Sequence, residues 1–281
     1  LKAKNWFDNV EWNIGVCGYL GSSVGRQLVA EADLIVAVGA QLGYFSSDHG
    51  GLFPNAKVLQ IDISPGQPIE GHPFPGVFVA ADARLGVGEI TSYLTQIKHE
   101  AVGFRTKAVA QILANSIDDW QPGPDELGRV DPTLAMREID ASIGKGHQYV
   151  FGVGHFWSFA IMNSYREDPL DFIYAYAFGS IGHALSVAIG ATIGRDKPTV
   201  LIDGDGSLLM QIGELGTIAS EALDITIIVM NDGGYGSEIH KLRAKGGDGE
   251  LARFHDTDFA TVARGFGLDG HTVTNISDIS E

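Results

Sequence analysis

The residue pattern points to an α/β protein built of two doubly wound parallel-sheet domains. Short, unbroken apolar runs at residues 34–39 and 198–203 alternate with helix-like stretches, as strands covered on both faces by crossover helices do. The alternation breaks at Gln121-Pro122-Gly123-Pro124, a linker signal, and then starts again. With 281 residues, 44% of them hydrophobic, the chain is long for one domain and sufficient for two cores.

In the first half a helix is expected over residues 25–32, followed by a strand over 34–39 that ends in glycine. Residues 57–62 form a second strand and 77–80 a third, and the stretch from 86 to about 117 is helical and more polar. Residues 1–100 therefore make one domain, 101–129 a linker and 130–281 the second domain. In the second half, Asp131-Pro132 ahead of Leu134, Met136 and Ile139 gives a capped amphipathic helix. Strands around 149–153, 198–203 and 225–230 follow, with helices near 213–222 and 258–265 and a final apolar piece. Residues 172–194 carry no formal charge over 23 positions, long enough to cross a bilayer. Four glycines, Ser180, His183 and Ser186 within it, and Asp171 and Arg195 beside it, fit a buried turn and helix better.

Composition narrows the partners. Lys and Arg number 19 against 35 Asp and Glu, a formal net charge of −16, which repels phosphate backbones and anionic lipid. No nucleic acid and no membrane partner is expected. The 37 glycines are about 13% of the chain against roughly 7% usually, without a collagen-like period. They point to tight turns and to backbone lying close to a ligand. Cys17 has no second cysteine to pair with, which suits a reducing, cytoplasmic setting. The chain opens at Leu1 and stops at Glu281 without a signal-like segment or tail, so both ends are expected to be cuts through a longer polypeptide.

The strongest functional signal is Gly204-Asp205-Gly206 at the end of an apolar strand. Ligands of open α/β sheets bind beyond the carboxyl ends of strands. The glycines let backbone N–H groups approach an anion, and the following helix turns its positive end there. Asp205 offers a hard oxygen to a divalent cation. Alone, the triplet is an ordinary Asp-Gly turn. However, 24 residues separate Gly206 from Asn231-Asp232-Gly233-Gly234-Tyr235-Gly236, again at a strand end. A strand–helix–strand unit of that length returns beside its first strand, so Asp205 and Asp232 should face one crevice. Together with the Gly234 carbonyl they form half an octahedral shell, which two diphosphate oxygens and a water would complete.

This spacing resembles the thiamine diphosphate signature of the family that includes acetohydroxyacid synthases, benzoylformate decarboxylases and pyruvate decarboxylases. Residues 130–281 resemble its diphosphate-binding domain, truncated at the C-terminal side. Residues 1–100 resemble its central domain, truncated at the N-terminal side, through Glu31-Ala32-Asp33-Leu34-Ile35-Val36-Ala37-Val38-Gly39 and Phe53-Pro54-Asn55-Ala56-Lys57 leading to Gln60-Ile61-Asp62. The resemblance implies Asp205, Asp232 and Gly234 as metal ligands and Gly204, Gly206 and Ser207 as the diphosphate cradle. It places Gly179, Ser180 and Ile181 under the thiazolium, with Ile181 propping the cofactor in the V shape that makes it its own base. Gly154, His155 and Phe156 would touch the aminopyrimidine, and Tyr235 and Gly236 complete the cofactor-binding set.

Glu238, six residues after Asp232, falls where pyruvate decarboxylases carry an active-site glutamate. A carboxyl there can return a proton to the reacting carbon if burial raises its pKa. A surface pairing with Lys241 or Lys245 is the equal alternative. His240 and His255 are expected to be exposed or structural. Asp232 departs from the family's asparagine, and the added carboxylate should make cation binding tighter and more pH-sensitive.

The resemblance thus implies an enzyme using thiamine diphosphate and Mg²⁺ to decarboxylate a small 2-oxo acid, followed by carboligation as in acetolactate synthesis or by release of an aldehyde. It leaves FAD open, implies a homodimer or homotetramer with sites between subunits, and places the activating glutamate in a pyrimidine-binding domain outside these residues. Two other readings stand beside it. One is a non-catalytic α/β nucleotide-binding protein. The other, a flavin- or nicotinamide-linked oxidoreductase, rests only on Gly15, Gly18, Gly21 and Gly25, whose spacing does not match a dinucleotide loop.

Overall fold

A computed structural model describes residues 3–7, 9–64, 76–101, 103–115 and 129–279. The chain falls into two units, Phe7–Trp120 and Gln121–Glu281, the latter joined by Lys2–Trp6. The Gln121–Pro124 linker signal lies outside the described residues.

The first unit contains α1 (Ser23–Ala30), β1 (Leu34–Val38), a single turn α2 (Tyr44–Ser47), β2 (Lys57–Asp62), β3 (Gly76–Ala80), α3 (Ala83–Gln96) and α4 (Lys107–Asn115). Its strands are parallel in the order β1-β2-β3, with Val38 opposite Ile61 and Asp62 opposite Ala80. All three expected strands are present. Helix α1 begins two residues before the apolar spacing suggests, because the Ser22 side chain accepts a hydrogen bond from the Gly25 N–H and fixes the start. The polar helical stretch is two helices, parted where Lys98 and Gly103 take positive φ of 52° and 119°. Ala37, Leu42, Phe53, Ala56 and Val58 form the buried core of this unit.

The second unit runs α5 (Pro132–Ser142), β4 (Gln148–Phe151), α6 (Trp157–Met162), β5 (Phe172–Tyr174), α7 (Ala184–Arg195), β6 (Thr199–Gly204), α8 (Asp205–Leu209), α9 (Leu215–Ser220), β7 (Ile225–Met230), α10 (Gly236–Ala244) and α11 (Phe259–Gly265). Helix α5 has the cap its sequence announces: Asp131 accepts from the Thr133 and Leu134 N–H groups, with Pro132 in the first turn. The sheet is parallel in the order β5-β4-β6-β7. Every residue of β4 and β6 is buried, as expected of continuous apolar strands inside a covered parallel sheet. Val150 and Leu201 pack with Leu185 and Ala188 of α7 and with Leu208, Leu215 and Ile218.

The uncharged stretch that begins at Phe172 opens as strand β5 before its turn and helix. Three residues are too few for a period to show, so the sequence reads as turn and helix alone. Among the described residues no helix is long and apolar enough to cross a membrane. The connection from the end of α7 to the start of β6 is held by Asp171, buried, which pairs with Arg195 at 3.1 Å and Lys197 at 2.5 Å. The last apolar piece is a 3-10 turn, Ile276–Ile279.

Candidate active site

Most of the expected site residues collect where β4, β6 and β7 end. Register sets this geometry: Gly204 lies against Met230 and Phe151 against Ile202, so the loops after all three strands open on the same edge of the sheet. Asp205 is the hub. One carboxylate oxygen accepts from the Gly233 N–H at 2.8 Å and the Gly234 N–H at 3.2 Å, and the other accepts from the Gly206 N–H at 2.7 Å. A single side chain therefore ties the first glycine motif to the second. Burial, foremost, raises the pKa of Asp205. The Gly206 N–H opposes that rise, the nearby charge of Asp232 adds to it, and the Gly233 and Gly234 N–H groups counter it.

Glycine is required here by packing. A methyl group on Gly206 would come within 2.6 Å of the Tyr235 ring, and one on Gly236 within 2.5 Å of Asp232 Oδ2 and 2.7 Å of His155 Nδ1. These contacts bring Asp232, His155, Tyr235 and Asp205 around one crevice. Tyr235 is backed in turn by Phe254, edge to face at 5.2 Å.

The donor set suits a hard cation bridged to an anionic ligand. A carboxylate has about four lone-pair directions, and Asp205 spends three on backbone N–H groups. Among the described residues no group of three or more His, Cys, Asp or Glu is arranged to hold a metal alone. A cation here would rest on Asp205, Asp232 and a backbone carbonyl, with the ligand's own oxygens filling the shell, as Mg²⁺ favours.

The remaining expected residues come from the loops after β4 and β5 and from α10. Phe156 is buried, its ring lying against Gly154 and below Gly204, so it forms a floor. His155 is exposed, with its ring 4.8 Å from that of His240. Partial desolvation of the ring by neighbouring side chains lowers its pKa although the residue is exposed, as does the facing His240, while Asp232 and Glu238 pull it upward. In the loop after β5, Gly179 and Gly182 have φ of 71° and 87°, Ser180 Oγ lies 2.9 Å from His183 Nδ1, and Ile181 is half-buried. Glu238 stands exposed in the first turn of α10 and pairs with Lys241 at 3.2 Å. His240 and His255 are both exposed.

Sequence reasoning passed over Asp203. It is 1% exposed and sits in β6, where it accepts from the Ser207 hydroxyl at 2.8 Å and the Gly204 N–H at 3.0 Å. Burial pushes its carboxyl up to about 7, against those two hydrogen bonds and with Asp205 adding to the rise. The available signal was a lone carboxylate in an otherwise apolar strand.

Two family profiles match the chain: "Thiamine pyrophosphate enzyme, C-terminal TPP binding domain" over residues 152–281 and "Thiamine pyrophosphate enzyme, central domain" over residues 1–90. The chain belongs to the thiamine pyrophosphate enzymes. The profile of the binding domain begins at Gly152 and so contains every expected site residue of this thiamine pyrophosphate enzyme. The chain is similar to sulfoacetaldehyde acetyltransferase of Castellaniella defragrans, 26% identical over 94% of this chain and 48% of that protein. It is likewise similar to acetolactate synthase of Mycobacterium avium, 28% identical over 84% of this chain and 38% of the relative. Acetolactate synthase large subunit of Parasynechococcus marenigrum is 28% identical over 98% of this chain and 45% of its own length. The chain spans less than half the length of these relatives.

Proposed function

We propose that this chain carries the cofactor-binding part of a thiamine diphosphate- and Mg²⁺-dependent enzyme that decarboxylates a 2-oxo acid and joins the remaining acyl carbon to an acceptor, in the manner of an acetolactate synthase. The observation that carries the reading is the Asp205 carboxylate, shared among the N–H groups of Gly206, Gly233 and Gly234, which joins the two motifs into one site. When bound, the cofactor would supply a ring that stores the electron pair released as carbon dioxide leaves.

In this reading Asp205, Asp232 and the Gly234 carbonyl hold Mg²⁺, and Gly204, Gly206 and Ser207 cradle the diphosphate, the glycines by leaving room for it and Ser207 by its backbone N–H. Ile181, Gly179 and Ser180 support the reactive ring. Gly154, His155, Phe156, Tyr235 and Gly236 shape the rest of the cofactor cavity. Burial raises the pKa of Asp205 and the charge of Asp232 adds to the rise, and such a carboxylate gains most from a neighbouring cation.

Residues 1–100 then serve as the central domain, 101–129 as linker and 130–281 as the diphosphate-binding domain. The working enzyme is a cytoplasmic homodimer or homotetramer whose pyrimidine-binding domain supplies the rest of the site. Calorimetric titration of the chain with thiamine diphosphate, in Mg²⁺ and again in EDTA, tests the reading. Mg²⁺-dependent binding supports it, and no binding in either buffer once the pyrimidine-binding domain is supplied refutes it. With the pyrimidine-binding domain supplied, mass spectrometry of the products from pyruvate separates acetolactate from acetaldehyde.

A further inference from the structure

Three elements meet beneath the site: β6, the first turn of α8, and the loop after β5. Asp203 lies beside Gly152, where a methyl group would lie 2.1 Å from its Oδ1. Its Oδ2 accepts from the Ser207 hydroxyl at 2.8 Å. Ser207 Oγ in turn accepts from the Gly182 N–H at 2.9 Å. A serine hydroxyl has one proton and two lone pairs, so both its proton and one lone pair are committed inside the protein. Asp203 and Ser207 are 1% and 4% exposed, and Gly182 is also buried, so water does not compete for these bonds.

We propose that Asp203 and Ser207 form a strut that fixes the height of the Ile181 loop, with Asp203 as a positioning residue and the Ser207 hydroxyl as its connecting piece. The functional meaning of the strut rests on the thiamine diphosphate reading; its existence does not. Gly182 is the anchor point. Its φ of +87° and the Met210 sulfur, 2.9 Å from where a methyl would stand, leave no room for a side chain. Ile181, one residue earlier, is thereby placed from below by a carboxylate that never reaches the ligand. The arrangement also confines Ser207 to its backbone N–H as a diphosphate donor, because its hydroxyl faces the strut.

Hydrogen–deuterium exchange on the full chain without cofactor reads the strut directly. In the unmodified protein the Gly182 N–H should exchange at least tenfold more slowly than that of exposed Gly179. Ser207→Ala should speed Gly182 exchange about tenfold, the effect of losing one buried hydrogen bond. Asp203→Ala should do the same, whereas Asp203→Asn, which keeps an oxygen for the Ser207 hydroxyl, should stay within about threefold of the unmodified protein. Calorimetry with thiamine diphosphate and Mg²⁺ should show about tenfold weaker binding for Asp203→Ala and recovery in Asp203→Asn. Unprotected Gly182 in the unmodified chain overturns the strut even if no variant folds. Faster exchange with unchanged affinity in Asp203→Ala overturns its positioning role. An unmodified chain that binds no thiamine diphosphate even with the pyrimidine-binding domain supplied refutes the cofactor reading, while the exchange result still decides the strut.

Discussion

Replacing Gly152 with alanine should destabilise the second unit strongly, although glycine-to-alanine changes in compatible backbone usually stabilise by about 0.4–1 kcal/mol. Gly152 follows β4 and donates its N–H to Ile202 at 2.9 Å, which holds it directly beside Asp203. The new methyl would stand 2.1 Å from Asp203 Oδ1, 2.9 Å from its Cγ and 3.1 Å from Ala184 Cβ. A relaxed carbon–oxygen contact needs more than 1 Å of additional separation on the order of van der Waals radii. Asp203 cannot yield cheaply, because moving it breaks the hydrogen bonds from Ser207 and Gly204 inside a fully buried site. Overpacking of this kind costs about 1–3 kcal/mol and the strained carboxylate bonds about 1.5–3 kcal/mol, so a total of about 3–5 kcal/mol is expected. For a unit of this size that lowers the melting temperature by roughly 10 °C. Urea denaturation of Gly152→Ala beside the unmodified chain, followed by circular dichroism, measures it. A variant as stable as the parent would show that Asp203 is free to move, and would refute both the steric argument and the rigidity assigned to its hydrogen bonds.

Asp203 also gives a pH prediction. Its carboxyl titrates near 3.8 when unfolded and about 7 when folded, so the folded state binds the proton more tightly. The resulting stabilisation is complete below the unfolded value and is lost as pH rises through the folded one, up to about 4 kcal/mol in all. In EDTA, Asp203→Asn should therefore flatten the fall in melting temperature between pH 5 and pH 8, and parallel curves for the two proteins would count against it. Asp232→Asn should weaken Mg²⁺ binding and make it less sensitive to pH, by calorimetry at pH 6 and 8; unchanged affinity at both would remove Asp232 from the cation site. Asp258 caps α11 by accepting from the Thr261 N–H at 2.9 Å, and Asp258→Ala should cost about 1 kcal/mol in urea denaturation. A loss below the error of the measurement would mean that packing of Ala260 alone holds that helix.

What the sequence revealed followed from local pattern. β6 and β7 are six-residue strands with largely apolar centres, each followed by a glycine motif, so their ends, and with them Asp205 and Asp232, could be located before any coordinates. The capped start of α5 was legible because Asp131 and Pro132 are adjacent in the chain. β5 was not, since three residues show no periodicity. The role of Asp203 was hidden for a different reason: its partner Gly182 lies 21 positions back, and only folding makes Ser207 the link between them. The Glu238–Lys241 pair lies one helical turn apart and was visible as one of two alternatives, but sequence has no means of ranking an exposed ion pair against a catalytic carboxyl.

The three amides gathered on Asp205 bear on the thermodynamics of ligand capture. Loops that must be ordered when a ligand arrives lose roughly 1–2 kcal/mol of backbone freedom per residue. Here Gly206, Gly233 and Gly234 are already immobilised by a carboxylate in the ligand-free fold, so that entropy is spent during folding. Association should then proceed between rigid partners, with an on-rate set by diffusion and charge and with little change in heat capacity from loop folding. The same pinning means that thermal disruption of either loop should release the other, so the two glycine motifs should lose order as one cooperative step.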